Sequence, residues 1–239
     1  MIKLLVTDLD DTLYSWIGFF IPAFYGMLDE LSLILSVSKS DLLDEYQHVH
    51  QEKGSVEYPF ATLYLPSVKA AYPGKTKEEL LNILNPVFHK FNSIRKKKLE
   101  LYPGVKETLE KIAGMGIKVV GYTDSAEENG FYRLKRLGID DYFQSVYVSD
   151  SQFALPDYLP ASEKTQIVHG KKPNPAVIHK ICQQESVAIG EIVYLGDSLT
   201  KDVYMARRAG ALSVLCKYSY NAKGQDELYS KLVAISHWT

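Results

Sequence analysis

Short apolar runs bounded by turn-forming residues recur along the chain and predict buried parallel strands. Five runs are predicted as strands: Lys3–Thr7, Ile117–Tyr122, Ser145–Val148, Ile192–Leu195 and Leu212–Cys216. Segments with helical spacing lie between them. Val105, Leu109 and Ile112 recur at i, i+4 and i+7, and Asn174-Pro175 supplies an N-cap with proline at the first helical position. This alternation over residues 101–239 predicts an open parallel sheet with helices on both faces.

Residues 14–100 break the alternation. They follow the first strand directly and carry helical patterns at Pro22–Ser36, Ser40–Lys53 and Lys77–Lys98. We therefore predict two domains: an α/β core of residues 1–13 and 101–239, and a helical module of residues 14–100. The segment Ser151–Gly170 contains two prolines and several polar residues, and it is predicted to be a long loop.

Composition narrows the class of protein. The chain has 239 residues, of which 46% are hydrophobic and 23% charged, as in ordinary globular proteins. A net charge of −2 argues against a protein that binds nucleic acid by neutralising phosphates. Cys182 and Cys216 have no partners at ligand spacing, so we expect buried free thiols. The first apolar run is too short for a signal peptide, and we see no stretch of bilayer-spanning length. We expect a cytoplasmic protein with no membrane or nucleic-acid partner; its oligomeric state is not indicated.

Acidic residues follow the first predicted strand, in the run Asp8-Leu9-Asp10-Asp11-Thr12. In open α/β sheets, ligands bind outside the carboxyl ends of the strands. Grouped carboxylates repel one another unless a cation joins them, and Mg²⁺ is held by one or two carboxylates together with phosphate and water. By itself the run also fits an acidic turn with aspartate N-caps.

Three later segments also place polar or charged residues at the end of a predicted strand or the start of a predicted helix. Thr123 ends the second strand, and Ser125-Ala126-Glu127-Glu128 has the form of a capping box, which predicts a helix start suited to an anion. Lys171 and Lys172 precede the proline-capped helix, where either a fixed charge for a phosphate or an ordinary surface pair is possible. Gly196-Asp197-Ser198, with Asp202 four residues later, places more carboxylates at a strand end.

Taken together, these segments resemble the four signature motifs of the haloacid dehalogenase superfamily. The resemblance is carried by Asp8-x-Asp10-x-Thr12, by the strand ending in Thr123, by Lys172 ahead of a helix, and by Gly196-Asp197-Ser198 with Asp202. It covers residues 1–13 and 101–239. Residues 14–100 match the family's helical cap by position and helical character only. The resemblance implies a Rossmann-like α/β core with an inserted α-helical cap domain.

The resemblance also implies roles for single residues. Asp8 would be the nucleophile that forms an aspartyl-phosphate, and Asp10 the general acid and base. The phosphoryl group would be held by Thr123, by Lys172 and by the backbone amide of Asp124. The metal residues would be those that hold Mg²⁺ or its waters: Asp8, the backbone carbonyl of Asp10, Asp197 and Asp202. Asp202 would also orient Lys172, Lys171 is an alternative phosphate ligand, and Asp11 would shape the turn.

The expected activity is Mg²⁺-dependent hydrolysis of a small-molecule phosphomonoester. A phosphomutase keeps the same residues and stays an alternative. A phospho-accepting receiver fits less well because its acceptor aspartate follows a central third strand, and a non-catalytic binding member would be expected to lack Asp8 or Asp10. Dehalogenases of the family do without the second aspartate, so the presence of Asp10 argues against that activity.

Aromatic residues stand near the start of the inserted module. These are Trp16, Phe19, Phe20, Phe24 and Tyr25. They either contact the leaving group of the substrate or form the module's own core. The connections near Leu13–Ser15 and Lys98–Tyr102 are expected to act as hinges that let the module close and exclude water.

Overall fold

The structure, a computed structural model, describes residues 1–58, 60–150, 162–219 and 225–236. The chain divides into two compact units. The α/β unit comprises Met1–Ser15 and Glu100–Ala222, and the helical unit comprises Trp16–Leu99 and Lys223–Thr239. The last helix of the chain therefore belongs with the inserted helices, and not with the core as predicted for residues 101–239.

A parallel sheet of six strands forms the centre of the α/β unit, in the order β4-β3-β2-β1-β5-β6. The strands are β1 Leu4–Thr7, β2 Lys118–Ala126, β3 Ser145–Ser149, β4 Thr165–Val168, β5 Ile192–Gly196 and β6 Leu212–Leu215. Leu4 of β1 aligns with Lys118 of β2 on one side and with Ile192 of β5 on the other. The chain reverses its direction of travel across the sheet between β1 and β5, which is the switch point where ligands bind in such sheets.

The helices of the described residues alternate with the strands in the α/β unit and occur in sequence in the helical unit. In chain order they are α1 Trp16–Leu35, α2 Lys39–Lys53, α3 Pro66–Ala71, α4 Lys77–Ile83, α5 Asn85–Lys98, α6 Val105–Gly114, α7 Glu127–Leu137, α8 Pro175–Glu185, α9 Tyr204–Ala209 and α10 Gln225–Ile235. Short 3₁₀ turns occur at Ala61–Tyr64, Asp140–Tyr142 and Ile189–Glu191, and Leu199–Val203 forms a π-helical turn.

The core of the α/β unit explains why β1 is central. All four of its residues are buried, as expected for a parallel strand with both faces covered. Leu4 and Val6 share a buried cluster with Ile178 and Ile181 of α8 and with Met205 of α9. Asn174 caps α8 by accepting a hydrogen bond from the Ala176 amide at 3.2 Å, which confirms the predicted helix start. The predicted α/β fold with a Rossmann-like parallel sheet is confirmed.

The five predicted strands are present, and one strand was missed. β4 lies within Ser151–Gly170, which was predicted to be a loop; residues 151–161 of that segment lie outside the described residues. β4 is a short edge strand that begins with the polar residues Thr165 and Gln166. It lacks the apolar run by which a buried strand is recognised, so its sequence predicts a loop.

The helical unit is built around α1, which packs along α5 and also contacts α2 and α10. A Cβ at Gly26 would lie 2.3 Å from Cδ1 of Ile94, so any larger residue here would require the end of the Ile94 side chain to move. The ring of Phe24 packs against that of Tyr46, with 4.8 Å between the two ring centroids. His50, also beside Phe24, has Nδ1 2.7 Å from the carbonyl oxygen of Ile235, which ties α10 into the unit.

Two helical predictions need correction. The pattern over Lys77–Lys98 was read as one helix, but it forms α4 and α5 with a break at Leu84, because Pro86 cannot continue the preceding hydrogen-bond ladder. The first helix starts at Trp16 and not at Pro22, with Pro22 inside it.

The length of α1 also bears on the expectation that no segment reaches bilayer-spanning length. By length and composition alone, this 20-residue helix is apolar enough to cross a membrane. Half of the apolar window is buried inside the protein, and a core helix of a globular protein meets the same criteria. Its buried residues Phe19, Leu28 and Leu31 are fully enclosed.

Candidate active site

The first acidic motif lies at the carboxyl end of β1, between β2 and β5. The Asp8 amide donates to the carbonyl oxygen of Leu195 at 2.8 Å, which fixes the residue against β5. The Thr12 hydroxyl donates to Oδ2 of Asp8 at 3.0 Å. Asp11 has a φ of 59°, in the left-handed region that Asp tolerates better than most residues, and its position fits the predicted role in the turn. The turn thus holds the Asp8 carboxylate at the sheet edge.

Lys172 reaches this carboxylate from the segment before α8. Its Nζ lies 2.5 Å from Oδ1 of Asp8 and 2.9 Å from Oδ1 of Asp202. The lysine is only 8% exposed, and its Nζ lies 5.0 Å and 5.6 Å from the ring centroids of Tyr122 and Tyr194. A buried ammonium is stable only when paired, so these carboxylates are what allow it to be here.

Asp202 is buried at 2% exposure and is held from several sides. The Tyr194 hydroxyl donates to its Oδ1 at 3.0 Å, and the Ser198 amide donates to its Oδ2 at 3.1 Å. A Cβ at Gly196 would lie 2.4 Å from Cγ of Asp202, so the residue ahead of Asp197 must be glycine for this carboxylate to pack against the strand end. Asp202 thereby orients Lys172.

The acidic side chains converge on one point. Asp8, Asp197 and Asp202 each offer a carboxylate oxygen, and these three oxygens lie within 4.8 Å of one another. Burial, and then the charge of Asp202, raise the pKa of Asp197 to about 6. Hard divalent cations are bound by oxygen ligands of this kind. The donor set therefore fits a divalent cation, whose charge would offset the mutual repulsion of the carboxylates.

In the Asp8–Lys172 pair, burial and the opposite charge of the partner shift each pKa in opposite directions. Burial raises the pKa of Asp8 well above its ordinary value, against the opposing charge of Lys172. Burial alone would lower the pKa of Lys172, but the charge of Asp8, together with that of Asp202, raises it well above normal. Lys172 therefore keeps its proton. Further positive charge beside Asp8 would favour the ionised form that a nucleophile needs.

The Asp10 carboxylate is bound by side chains of α7 and of the end of β2. Nη1 of Arg133 lies 2.8 Å from its Oδ1, and the hydroxyls of Ser125 and Thr123 donate to its Oδ2 at 2.8 and 3.2 Å. The predicted capping box at Ser125 is wrong: β2 continues to Ala126, α7 begins at Glu127, and the N-cap makes no side-chain hydrogen bond. Ser125 is used for Asp10 instead.

Asp124 connects the second segment to the third. Its Oδ1 accepts a hydrogen bond from the Lys172 amide at 2.9 Å, and its Oδ2 lies 3.7 Å from Nζ of Lys201. The Asp124 carboxylate thus holds the backbone of Lys172 in position. A phosphate contact through the Asp124 backbone amide stays a prediction.

A family model described as haloacid dehalogenase-like hydrolase matches residues 6–216 of the chain. The chain belongs to this family. The resemblance predicted from the motifs is therefore confirmed, and so is the prediction of a hydrolase.

Individual relatives of this haloacid dehalogenase-like hydrolase carry activity names. Glyceraldehyde 3-phosphate phosphatase of Methanopyrus kandleri is 28% identical over 217 residues, which make up 90% of this chain and 83% of that protein. Phosphoglycolate phosphatase of Nitrosococcus oceani is 33% identical over 125 residues, or 52% of this chain and 48% of that protein. The structure of 2-haloacid dehalogenase from Pseudomonas syringae pv. tomato has a TM-score of 0.59 at 20% identity, covering 98% and 99% of the two chains. This last likeness shows a shared fold.

The structure of this hydrolase brings Asp8, Lys172, Asp197 and Asp202 together, and it places Asp10 beside Thr123. Lys171, the alternative to Lys172, is exposed. The motifs do not predict two residues that contact Asp10, namely Ser125 and Arg133. The signal for Arg133 is a charged residue on the buried face of α7, whose other buried members are Gly130 and Leu134. The ligand and catalytic roles of these residues stay predictions.

Proposed function

We propose that this hydrolase is a Mg²⁺-dependent phosphatase that hydrolyses a small-molecule phosphomonoester through an aspartyl-phosphate on Asp8. One observation carries the proposal: a buried carboxylate at the end of β1 is paired with a buried lysine and faces two further carboxylates. Such a cluster suits a nucleophile whose dianionic substrate must be neutralised before it can approach.

In the first half-reaction, a carboxylate oxygen of Asp8 attacks phosphorus. The new bond joins that oxygen to phosphorus, and the bond between phosphorus and the ester oxygen breaks. Asp10, two residues along the same turn, gives its proton to the departing oxygen, so that an alcohol leaves. Arg133 and Ser125 hold the Asp10 carboxyl at the start of this transfer.

In the second half-reaction, Asp10 takes a proton from water. The water oxygen bonds to phosphorus, and the bond between phosphorus and Asp8 breaks. Inorganic phosphate leaves, and both aspartates return to their starting state. Lys172 balances charge on the phosphoryl oxygens in both halves, and the Thr123 hydroxyl donates to them in place of its hydrogen bond to Asp10.

The residues that would hold Mg²⁺ are Asp8, Asp197 and the backbone carbonyl of Asp10, with Asp202 supporting the metal or its waters. When bound, the ion supplies Lewis-acid stabilisation of the charge that develops on the phosphoryl oxygens. Burial, and then the charge of Asp202, raise the pKa of Asp197, which supports this assignment because a bound cation would stabilise the ionised form of that carboxylate.

Substrate candidates follow from the relatives. One relative is named for glyceraldehyde 3-phosphate and another for phosphoglycolate, both small phosphate esters that carry an acid or carbonyl group. We therefore propose a short-chain phosphate ester as the substrate, acted on in the cytoplasm. The free thiols Cys182 and Cys216 support a reducing compartment.

A phosphate-release assay tests the proposal. The purified chain is incubated with phosphoglycolate, glyceraldehyde 3-phosphate, sugar phosphates and nucleotides, with Mg²⁺ or with excess EDTA. We expect release from at least one short-chain ester, dependent on Mg²⁺ and absent in Asp8→Asn. Equal release in EDTA, or undiminished turnover by Asp8→Asn, would contradict the proposal.

A further inference from the structure

Arg133 is a buried arginine whose charge points at the proposed acid and base. Its side chain is 2% exposed, and its Nη1 lies 2.8 Å from Oδ1 of Asp10. The same nitrogen lies 3.1 Å from the Ser125 hydroxyl. Placing a guanidinium in the interior is costly unless it meets a counter-charge and hydrogen-bond acceptors. Asp10 supplies that counter-charge in its ionised form, the form in which it accepts a proton from water.

The local backbone explains how Arg133 reaches the site. Gly130 of α7 faces the end of β2, and a Cβ there would lie 3.0 Å from Cγ2 of Thr123. Helix α7 can therefore lie close against the strand end. Arg133 follows three residues later on the same helix face, because residues three and four apart are neighbours on a helix. Arg136, three residues further on, is exposed.

Both oxygens of the Asp10 carboxylate are engaged in this arrangement. Oδ1 receives Arg133, and Oδ2 receives the hydroxyls of Ser125 at 2.8 Å and Thr123 at 3.2 Å. Ser125 is itself contacted by Arg133, so the guanidinium acts on one oxygen directly and on the other through the serine. The carboxyl plane is held at both ends, which limits rotation of the side chain.

We infer that Arg133 is a positioning residue for Asp10: it fixes the carboxyl group in the orientation from which it exchanges a proton with the leaving oxygen and with water. The inference rests on the proposed function, since it needs Asp10 as acid and base. It assigns Arg133 no contact with substrate. A displacement of about 1 Å in a reacting group can cost on the order of 10²-fold in rate, so the holding contact has a measurable consequence.

The role of the leaving group separates positioning from mere structural support. An alkyl ester such as phosphoglycolate expels a strongly basic oxygen that needs the proton of Asp10. p-Nitrophenyl phosphate expels a weakly basic phenolate that needs it little. A misplaced Asp10 therefore lowers kcat/KM on phosphoglycolate far more than on p-nitrophenyl phosphate. A general loss of folding lowers both by the same factor.

The experiment measures kcat/KM on both esters for wild type, Arg133→Met, Arg133→Lys, Ser125→Ala and the exposed control Arg136→Met. We expect Arg133→Met to lose about 10²-fold on phosphoglycolate, with a much smaller loss on p-nitrophenyl phosphate. Arg133→Lys keeps the charge and loses the planar guanidinium whose Nη1 contacts both Asp10 and Ser125, so its loss should fall between those of wild type and Arg133→Met, with the same substrate selectivity. Ser125→Ala should show the same selectivity with a smaller loss, and Arg136→Met should match wild type.

A double-variant cycle adds a second readout. If Arg133 acts through Asp10, adding Arg133→Met to Asp10→Asn should lower kcat/KM for phosphoglycolate far less than the same change lowers it in wild type, because residues of one network are non-additive. Equal losses on both esters, or full additivity on Asp10→Asn, would overturn the inference. If Arg133→Met does not fold, the selectivity of Arg133→Lys decides. Failure of the proposed function shows in the wild type, as no Mg²⁺-dependent release from either ester, whereas failure of this inference shows only in the variants.

Discussion

Lys172 and its neighbour Lys171 are chemically identical and adjacent, yet their surroundings differ completely. Lys172 is buried between two carboxylates and two tyrosine rings, whereas Lys171 is exposed. The motif match favoured Lys172 because it directly precedes a proline. The Asp124 carboxylate accepts a hydrogen bond from the Lys172 amide and so holds the backbone of this segment, through a contact that spans 48 residues of sequence. No local pattern predicts it.

At this scale we predict that Lys172→Met loses most turnover. The change removes the charge that faces Asp8 and Asp202 and would offset the phosphoryl oxygens, so kcat should fall by about 10²–10³-fold, the range for a preorganised electrostatic group. Lys171→Met is the matched control, and its kcat should stay within about twofold of wild type. Lys171 is exposed, and substitutions at exposed positions usually change the free energy by no more than about 0.5 kcal/mol. Steady-state kinetics with the same ester would show both. Comparable losses in the two variants would contradict the assignment.

Elements were predictable where periodicity was long and unbroken. The strands β1, β2, β3, β5 and β6 were recognised from their apolar runs, whereas the edge strand β4 was not, because its side chains are mixed. Ser125 was assigned to a helix cap, but its hydroxyl bonds Asp10, a residue 115 positions away. Local preference lost to a tertiary contact, and this kind of failure is expected at functional sites.

The helical unit gives the prediction at the scale of elements. Phe20 is 3% exposed on α1, stacked on Trp16 at 4.7 Å and edge-on to Phe91 at 5.9 Å. It is a core residue, so Phe20→Ala should lower the free energy of unfolding by about 3–5 kcal/mol while leaving the ranking of substrates unchanged. Leu33→Ala, at a site 78% exposed on the same helix, is the control and should barely change Tm. A changed ranking without loss of stability would instead favour contact of Phe20 with substrate.

For the whole molecule, the insertion after β1 was readable because it interrupts the strand–helix alternation. The unit to which α10 belongs could not be predicted from the sequence. The residues of α10 follow β6 in the chain, where a helix of the α/β layer is expected, yet its carbonyl oxygens at Lys231 and Ile235 bond Tyr25 and His50 of the helical unit. The position of α10 therefore depends on contacts that span 206 and 185 residues of sequence.

Metal binding should be visible in the stability of the whole fold. A ligand bound only by the folded protein adds about 2.7 kcal/mol at 100 times its Kd, so we predict that Mg²⁺ raises Tm. Because the pKa of Asp197 is raised on folding, its ionised carboxylate opposes the fold at neutral pH, where the group is charged. Asp197→Asn should therefore raise the Tm of the metal-free protein and abolish the shift caused by Mg²⁺. Asp141→Asn, at a fully exposed carboxylate, is the control. A full Mg²⁺ shift in Asp197→Asn would contradict the assignment.

The central claim is covalent catalysis by Asp8, and rapid acid quenching of the reacting protein tests it most directly. Wild type, Asp10→Asn and Asp8→Asn are mixed with Mg²⁺ and p-nitrophenyl phosphate, whose leaving group needs little protonation, quenched at successive times, and their peptides analysed by mass spectrometry. We predict a phosphoryl group on the peptide that contains Asp8, accumulating in Asp10→Asn because the proton acceptor for water is missing, and absent in Asp8→Asn. Turnover by Asp8→Asn at the wild-type rate, with no phosphorylated peptide at any time in any variant, would contradict the account.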